Sequence, residues 1–256
     1  MIFESHAHYD DKQFDADRDA LISSLQENGI GYVVNIGADM KTTKASIKLA
    51  GKYPFIYAAA GIHPSEVRHF HEQEFEQLRT LATHEKCVAI GEIGLDYYWD
   101  KEKEVRDLQK YWFVRQMELA RDLGLPLVIH SRDAAKDTLE TIKNERAGEI
   151  GGVLHCFSYS PELAREYVKM GFYIGIGGVV TFSNAKNIKE IALRTPLEQI
   201  LLETDCPYLA PVPNRGKRNS SLNLVYVARE IARIKNVDYQ KVVDITCENA
   251  KTMYRI

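Results

Sequence analysis

The chain has 256 residues, a net charge of −3 and 27% charged side chains. That balance excludes a surface that attracts polyanions overall, so any nucleic acid must be met by a local basic patch. The four cysteines, Cys87, Cys156, Cys206 and Cys247, form no C-x-x-C pair, which excludes a zinc ribbon and a disulfide framework and predicts free thiols in a reducing compartment.

The first predicted strand, IFESH, leads into His6 and His8. The opening MIFESHAHYD is too short and too polar for a signal peptide, and no apolar run nears the ~20 residues of a membrane span. The expectation is a cytoplasmic protein without a membrane segment, and the lack of an apolar stripe points to a monomer. A helical pattern over FDADRDALISSLQENG stops at Gly29. The strands YVVNIG, FIYAAAGIH and CVAIGEIG follow, the third leading to His63 and the fourth containing Glu92. A helix over DLQKYWFVRQMELARDLG sets Leu108, Trp112, Met117 and Leu119 broadly on one side and stops at Gly124. Next come LPLVIHS with His130, GGVLHCF with His155, FYIGIGG, and ILLETD with Glu203 and Asp205. Helices are predicted after Ser131, Ser160, Ser183 and Asn219, and DYQKVVDITCENAKTMY forms the last.

About eight strand–helix units in succession predict an α/β fold with a parallel sheet. One domain over residues 1–256, a (β/α)8 TIM barrel, accounts for them better than an open doubly wound sheet. In such a barrel the chemistry collects at the C-terminal ends of the strands. Those ends offer His6 and His8, His63, Glu92, His130, His155, and Glu203 with Asp205. Only NIG and GIGG offer no side-chain ligand. Side chains along a strand alternate faces, so His6 shares a face with His8 and Glu203 with Asp205. Cys156 and Cys206 then face the helices, as packing residues and not as ligands.

A strand histidine alone is an ordinary core residue. The set is different, because leaving it unpaired at the rim of an apolar core is costly. A divalent cation would satisfy these groups together. Six candidate groups exceed one tetrahedral sphere, which predicts two cations with a carboxylate such as Glu92 bridging them. A pair of metals ~3.5–4 Å apart stabilises both the attacking and the leaving oxygen of a displacement. Mixed imidazole and carboxylate ligation suits Zn²⁺, Mn²⁺ or Mg²⁺ alike.

The stretches ESHAHYD, GIHP, GEIGLDYY, VIHSRDA, LHCFS and ETDCPYLAP followed by RGKRN, in this order, resemble the TatD-type metal-dependent deoxyribonucleases. The resemblance runs from Ile2 to about Asn219. It implies a TIM barrel of the amidohydrolase-like group that hydrolyses phosphodiesters of DNA. It implies His6, His8 and Asp205 on a first metal, Glu92 bridging, His130 and His155 on a second, and His63 beside the scissile phosphate. The chain departs from the family at Glu4, where Asp is usual, and at Ser220 and Ser221, where Glu-Pro usually follows Asn219. By parity Glu4 points with His6 and is expected to support the ligands from behind. The second departure bears on how the basic loop is held and on substrate preference.

Asp205 is the candidate to position the attacking water and accept its proton, and Glu203 reads as a buried hydrogen-bond acceptor beneath it. Arg215, Lys217 and Arg218, in the Pro-rich loop after Asp205, are expected phosphate contacts, which position a strand without reading its sequence. Arg132 is either another such contact or an ordinary helix-start residue. Tyr97, Tyr98 and Trp99 either stack on a base or pack under the loop. One short basic loop on an acidic protein favours attack at single-strand ends, and the resemblance adds 3′-to-5′ polarity. Competing readings are an amidohydrolase or esterase with a small or tRNA-linked substrate, and a nucleic-acid-binding protein with a structural metal.

Overall fold

The computed structural model describes residues 1–256. All eight predicted strands form: β1 (Ile2–Ala7), β2 (Ile30–Ile36), β3 (Ile56–Ala60), β4 (Cys87–Asp96), β5 (Leu127–Arg132), β6 (Gly152–Leu154), β7 (Phe172–Ile176) and β8 (Ile200–Leu202). Each pairs in parallel with the next, in chain order. The helices between them are α1 (Arg18–Ser24), α2 (Met40–Lys52), α3 (Glu72–Ala82), α4 (Lys103–Leu123), α5 (Ala135–Asn144), α6 (Pro161–Lys169) and α7 (Lys186–Arg194). After β8 come α8 (Leu224–Lys235) and α9 (Tyr239–Tyr254). This is a (β/α)8 barrel. No helix is long and apolar enough to cross a membrane.

Local chemistry sets the helix limits. Ser160 caps α6 by accepting from Leu163 N, with Pro161 in the first turn, and α4 stops at Gly124, whose φ of +67° is left-handed. The predicted first helix is shorter than its pattern. The Arg18 guanidinium binds the carbonyls of Tyr9, Asp10 and Asp11, and Asp17 is held by Arg218. Residues 9–17 are therefore tied down, with one short 3-10 turn at Lys12–Phe14, and the α-helix covers only Arg18–Ser24.

The barrel closes between β1 and β8 with few ladder bonds. Ser5 Oγ donates to the Leu202 carbonyl at 2.9 Å. Above it Asp205 N donates to His6 O at 3.0 Å and His8 N to Cys206 O at 2.9 Å. Between these levels the buried Glu4 carboxylate accepts from Thr204 N at 2.9 Å and Thr204 Oγ1 at 2.7 Å. The seam that completes the barrel thus also fixes the histidine pair against Asp205.

The other end of the seam is covered by α9. Cys247, Ala250, Met253 and Tyr254 pack with Phe3, Val34, Ile36, Val128, Val153 and Leu201 in one buried apolar cluster. The Tyr254 hydroxyl donates to Ser5 O at 2.7 Å. Phe3, 2% exposed, stacks between Tyr32 and Tyr254 with centroids at 5.3 and 5.8 Å. Replacing Phe3 by Ala leaves a cavity with aromatic walls. Phe3→Ala should cost about 3–5 kcal/mol of unfolding free energy, read from urea unfolding curves. A loss below about 1 kcal/mol would mean that α9 does not anchor the barrel through this stack.

Candidate metal centre

Glu92 lies at the middle of the strand ends. Its carboxylate oxygens are 2.9 Å from His130 Nδ1, 3.4 Å from His6 Nε2 and 3.7 Å from His63 Nε2. His8 Nε2 and His155 Nε2 both lie at 3.9 Å. Asp205 Oδ1 completes the group, 3.3 Å from His8 Nε2 and 3.8 Å from His6 Nε2. His6 Nε2 and His8 Nε2 are 3.1 Å apart. The donor atoms fall into three sets, of which the first two share His6: His6, His8 and Asp205; His6, His155 and Glu203; and His63, Glu92 and His130.

Outer contacts orient four of the rings. His8 Nδ1 faces the Ile36 carbonyl at 3.1 Å, which only accepts, so Nδ1 carries a proton and Nε2 turns inward. His155 Nδ1 faces Glu203 Oε2 at 3.2 Å. That leaves His155 Nε2 directed at Glu92 and Asp205. His130 Nε2 meets Asp96 Oδ2 at 3.0 Å while Nδ1 meets Glu92. His63 is the reverse case: its Nδ1 accepts from Ser65 N at 3.1 Å, so the neutral ring carries its proton on Nε2. His6 stacks on His155 with centroids 3.5 Å apart, and its Nδ1 is buried without a partner.

The electrostatics show what this set lacks. Burial opposes ionisation of Glu92, yet the surrounding histidines, His63 and His155 first, hold it well below the usual carboxylate range. Burial likewise opposes the charge on Asp205, and His8 and His155 pull its pKa down. Burial lowers the His8 and His155 pKa values, but Asp205 raises the first to about 9, and Glu203 and Glu92 raise the second to about 10. His6, buried beside His155, is pushed down. The inward lone pairs of His8 and His155 otherwise converge on carboxylate oxygens, acceptor against acceptor. Positive charge must lie between them, as protons or as a cation. Imidazoles held by carboxylates and a carbonyl from behind are the pattern of metal ligands, so the donor set fits divalent cations.

Asp96 is a site residue that the sequence reading passed over. It is 2% exposed, and its other oxygen accepts from Tyr98 N at 2.9 Å and Trp99 N at 3.4 Å. The available signal was its even spacing from Glu92 along β4. Cys206 enters the apolar core as expected. Cys156 differs: it is only half-buried, lies at φ +45°, and donates its N–H to Glu203 Oε1 at 2.6 Å. Strand β6 ends at Leu154, so strict alternation does not reach residues 155 and 156. Neither thiol joins a donor cluster.

Two of the expected phosphate contacts on the basic loop already have partners. Arg218 pairs with both Asp17 oxygens at 2.6 and 2.7 Å and donates to Gln13 O. Arg215 stacks over Phe182 at 4.3 Å, and Lys217 is exposed. The cavity of about 500 Å³ whose floor is the histidine and carboxylate cluster is instead rimmed by Lys12 and Lys41, with Asp10, Asp11 and Ser65. The two lysines carry no motif, and only the fold brings them to the site. The Ser220–Ser221 departure is also resolved. Tyr9 OH donates to Ser221 Oγ at 2.8 Å, Ser221 N donates to Tyr9 OH at 3.0 Å, and Asn219 Nδ2 binds the carbonyls of Thr204 and Tyr208.

A parallel barrel whose strand ends gather buried histidines and carboxylates into cation-binding sets defines a metal-dependent hydrolase. The family model described as TatD related DNase matches residues 3–255. "Uncharacterized metal-dependent hydrolase YabD" of Bacillus subtilis is 43% identical, with all of both chains covered. The "3'-5' ssDNA/RNA exonuclease TatD" of Rahnella sp. is 30% identical over 100% of this chain and 98% of its own. The crystal structure of the TatD homologue YJJV from Escherichia coli superimposes with a TM-score of 0.93 at 26% identity, covering 100% of this chain and 98% of that one. The chain belongs to the TatD family, and it is an enzyme that acts on ester bonds.

Two outcomes test the supports behind the ligands. Asp96→Asn weakens the hold on the His130 ring, so metal affinity should fall about 10–100-fold with an unchanged circular dichroism spectrum, measured by titration calorimetry. Glu4 is fully buried, and burial raises its pKa from 4.5 to about 7 despite the bonds from Thr204 and His6 N. The folded chain therefore holds the Glu4 proton more tightly than the unfolded one. Its contribution to stability is full below pH 4.5 and is lost as the pH rises through about 7. Between these values the stability of Glu4→Gln should gain about 3 kcal/mol relative to wild type. A pH-independent difference in urea unfolding would refute the buried-acid account.

Proposed function

We propose that the chain hydrolyses phosphodiester bonds at the ends of single-stranded DNA, from the 3′ side, with two divalent cations, Mg²⁺, Mn²⁺ or Zn²⁺, held by His6, His8, Glu92, His130, His155 and Asp205. The observation that carries this reading is the Glu92 carboxylate amid five imidazoles at the floor of a cavity rimmed by Lys12 and Lys41. Such cations lower the pKa of a water toward neutrality and polarise phosphoryl oxygens. The name of the Rahnella relative, a 3'-5' ssDNA/RNA exonuclease, supports both the substrate and the polarity.

The protein's own groups then have distinct tasks. Asp205, whose carboxyl is held ionised by His8 and His155, orients the attacking water and accepts its proton. Glu92 would hold both cations, since its two oxygens face different imidazoles, Oε2 toward His6 and Oε1 toward His130. His63, pushed down to about 4 by burial and by His130, stays neutral and offers its Nε2–H to an oxygen of the scissile phosphate. Lys12 and Lys41 meet the charge of the nucleotide in the cavity. Arg215 and Lys217 meet phosphates farther out, and Arg218, through Asp17, holds the loop that carries them. Glu203 keeps His155 oriented, and Glu4 fastens Thr204 beside Asp205. The cavity volume suits one small polar body, which favours a strand end over the middle of a duplex.

End-labelled single-stranded DNA, incubated with Mg²⁺ or Mn²⁺, should shorten stepwise from its 3′ end. Asp205→Asn should slow this about 10²–10⁴-fold. Wild-type protein shown to carry its metals yet inert toward DNA would overturn the nuclease reading in favour of a small ester or amide substrate.

A further inference from the structure

Beyond β4, two large aromatic side chains stand in water. Trp99 is 69% exposed and Tyr98 44%, with ring planes at 88° and centroids 4.6 Å apart. Their backbone N–H groups hang from Asp96, whose second oxygen holds His130. On the neighbouring strand Asp96 pairs in register with Arg132. The Arg132 guanidinium lies 3.9 Å from the Tyr98 ring centroid and 5.8 Å from that of Trp99. Arg132 is exposed and, unlike Arg218, has no carboxylate within ion-pair distance.

We propose that Tyr98, Trp99 and Arg132 form a platform for single-stranded nucleic acid that leaves the metal centre, with Trp99 stacking on a base and Arg132 binding a phosphate. This rests on the phosphodiesterase reading above and extends it to the nucleotides beyond the scissile bond. Tyr98 covers one face of the guanidinium, which leaves the in-plane N–H edge free for the bidentate contact that phosphate accepts. Tyr98 is thus a positioning residue. Trp99, turned nearly perpendicular, keeps an open face of its own. Aromatic faces bind any base, because every base has a π-face.

The platform also adjoins the cavity. Glu92 and His130 line the cavity floor, while Lys12, Lys41 and Ser65 line its wall on the β1–β3 side. The platform stands just beyond His130, where Arg132 pairs in register with Asp96 at the ends of β5 and β4. A strand whose end fills the cavity and leaves it on the β4–β5 side passes over Trp99. Packing beneath a loop, the alternative role for these aromatics, would bury Trp99, and it is exposed.

The test compares an oligothymidylate of about ten nucleotides with a thymidine dinucleotide. Trp99→Ala should raise KM for the oligomer roughly tenfold at unchanged kcat, leave the dinucleotide kinetics unaltered, and be rescued largely by Trp99→Phe. Arg132→Ala should raise KM for the oligomer and flatten the salt dependence of binding by about one phosphate contact. The chain has two tryptophans, and Trp112 is only 3% exposed. Quenching of the indole emission by the oligomer therefore reports Trp99, and the dinucleotide should not produce it. An oligomer KM unchanged in Trp99→Ala, or no quenching, would overturn the platform. Quenching by the oligomer without cleavage of either DNA would instead sink the hydrolytic reading and leave the platform standing.

Discussion

A buried carboxylate surrounded by imidazoles is the constraint on which the rest of the molecule depends. Glu92 is 5% exposed and carries its charge where an isolated ion would cost many kcal/mol. Five histidine rings from four different parts of the chain offset that cost. No single strand–helix unit could bring them together. The barrel does so because its strands converge on one rim, with β4 inserting Glu92 at the centre. Polar groups at this density do not stabilise the fold as apolar packing would. The apolar clusters around and beneath them, with α9 covering the opposite end, supply the stability that the site gives up.

The second layer turns a polar cluster into a directed one. Each inward nitrogen is set by what holds the opposite side of its ring: Ile36 O behind His8, Glu203 behind His155, Asp96 behind His130. Even the two strand ends without ligands take part. The end of β2 provides Ile36 O for His8 and Gly37 O for Glu92 N. In β7, Gly175 makes room for Glu203, since a Cβ there would lie 2.4 Å from Oε2. The seam between β1 and β8 works the same way. The Glu4 carboxylate spans it, and its extra methylene relative to the family's usual Asp reaches both Thr204 donors. Closing the barrel and holding Asp205 beside His8 are one act.

Much of this was legible in the sequence, for physical reasons. Strand–helix succession and turn residues are local, so the eight strands and the barrel could be read directly. The histidines and carboxylates were visible because each stands at a strand end, where an apolar run meets a polar group. Asp96 escaped notice because it sits among Tyr97, Tyr98 and Trp99, and its role depends on β5 delivering His130 alongside. Lys12 and Lys41 could not be read at all, since they reach the cavity from a turn and a helix start with no periodic signal. The basic loop shows the opposite limit. Composition marked Arg218 as free charge, while the fold commits it to Asp17. A sequence gives the charges, and the pairing comes from tertiary structure.

The same distinction governs how an acidic protein handles an anionic substrate. The cavity walls carry Asp10, Asp11, Glu92 and Asp205 against Lys12, Lys41 and the protonated His8 and His155, so the bare site has little net charge with which to draw an anionic ester. Divalent cations would supply that charge locally, being the largest charges in such a site. Binding them also requires His8 and His155 to give up the protons that Asp205, Glu203 and Glu92 favour. Metal loading and proton release are therefore coupled, and affinity for an anionic ester follows the metal. Away from the centre no cation is available to do this, and the remaining contacts must come from groups whose charge the fold leaves unspent. Arg132 over Tyr98 is such a group on the β4–β5 side of the site, and the exposed Lys217 is another on the basic loop, whereas Arg218 is already committed to Asp17.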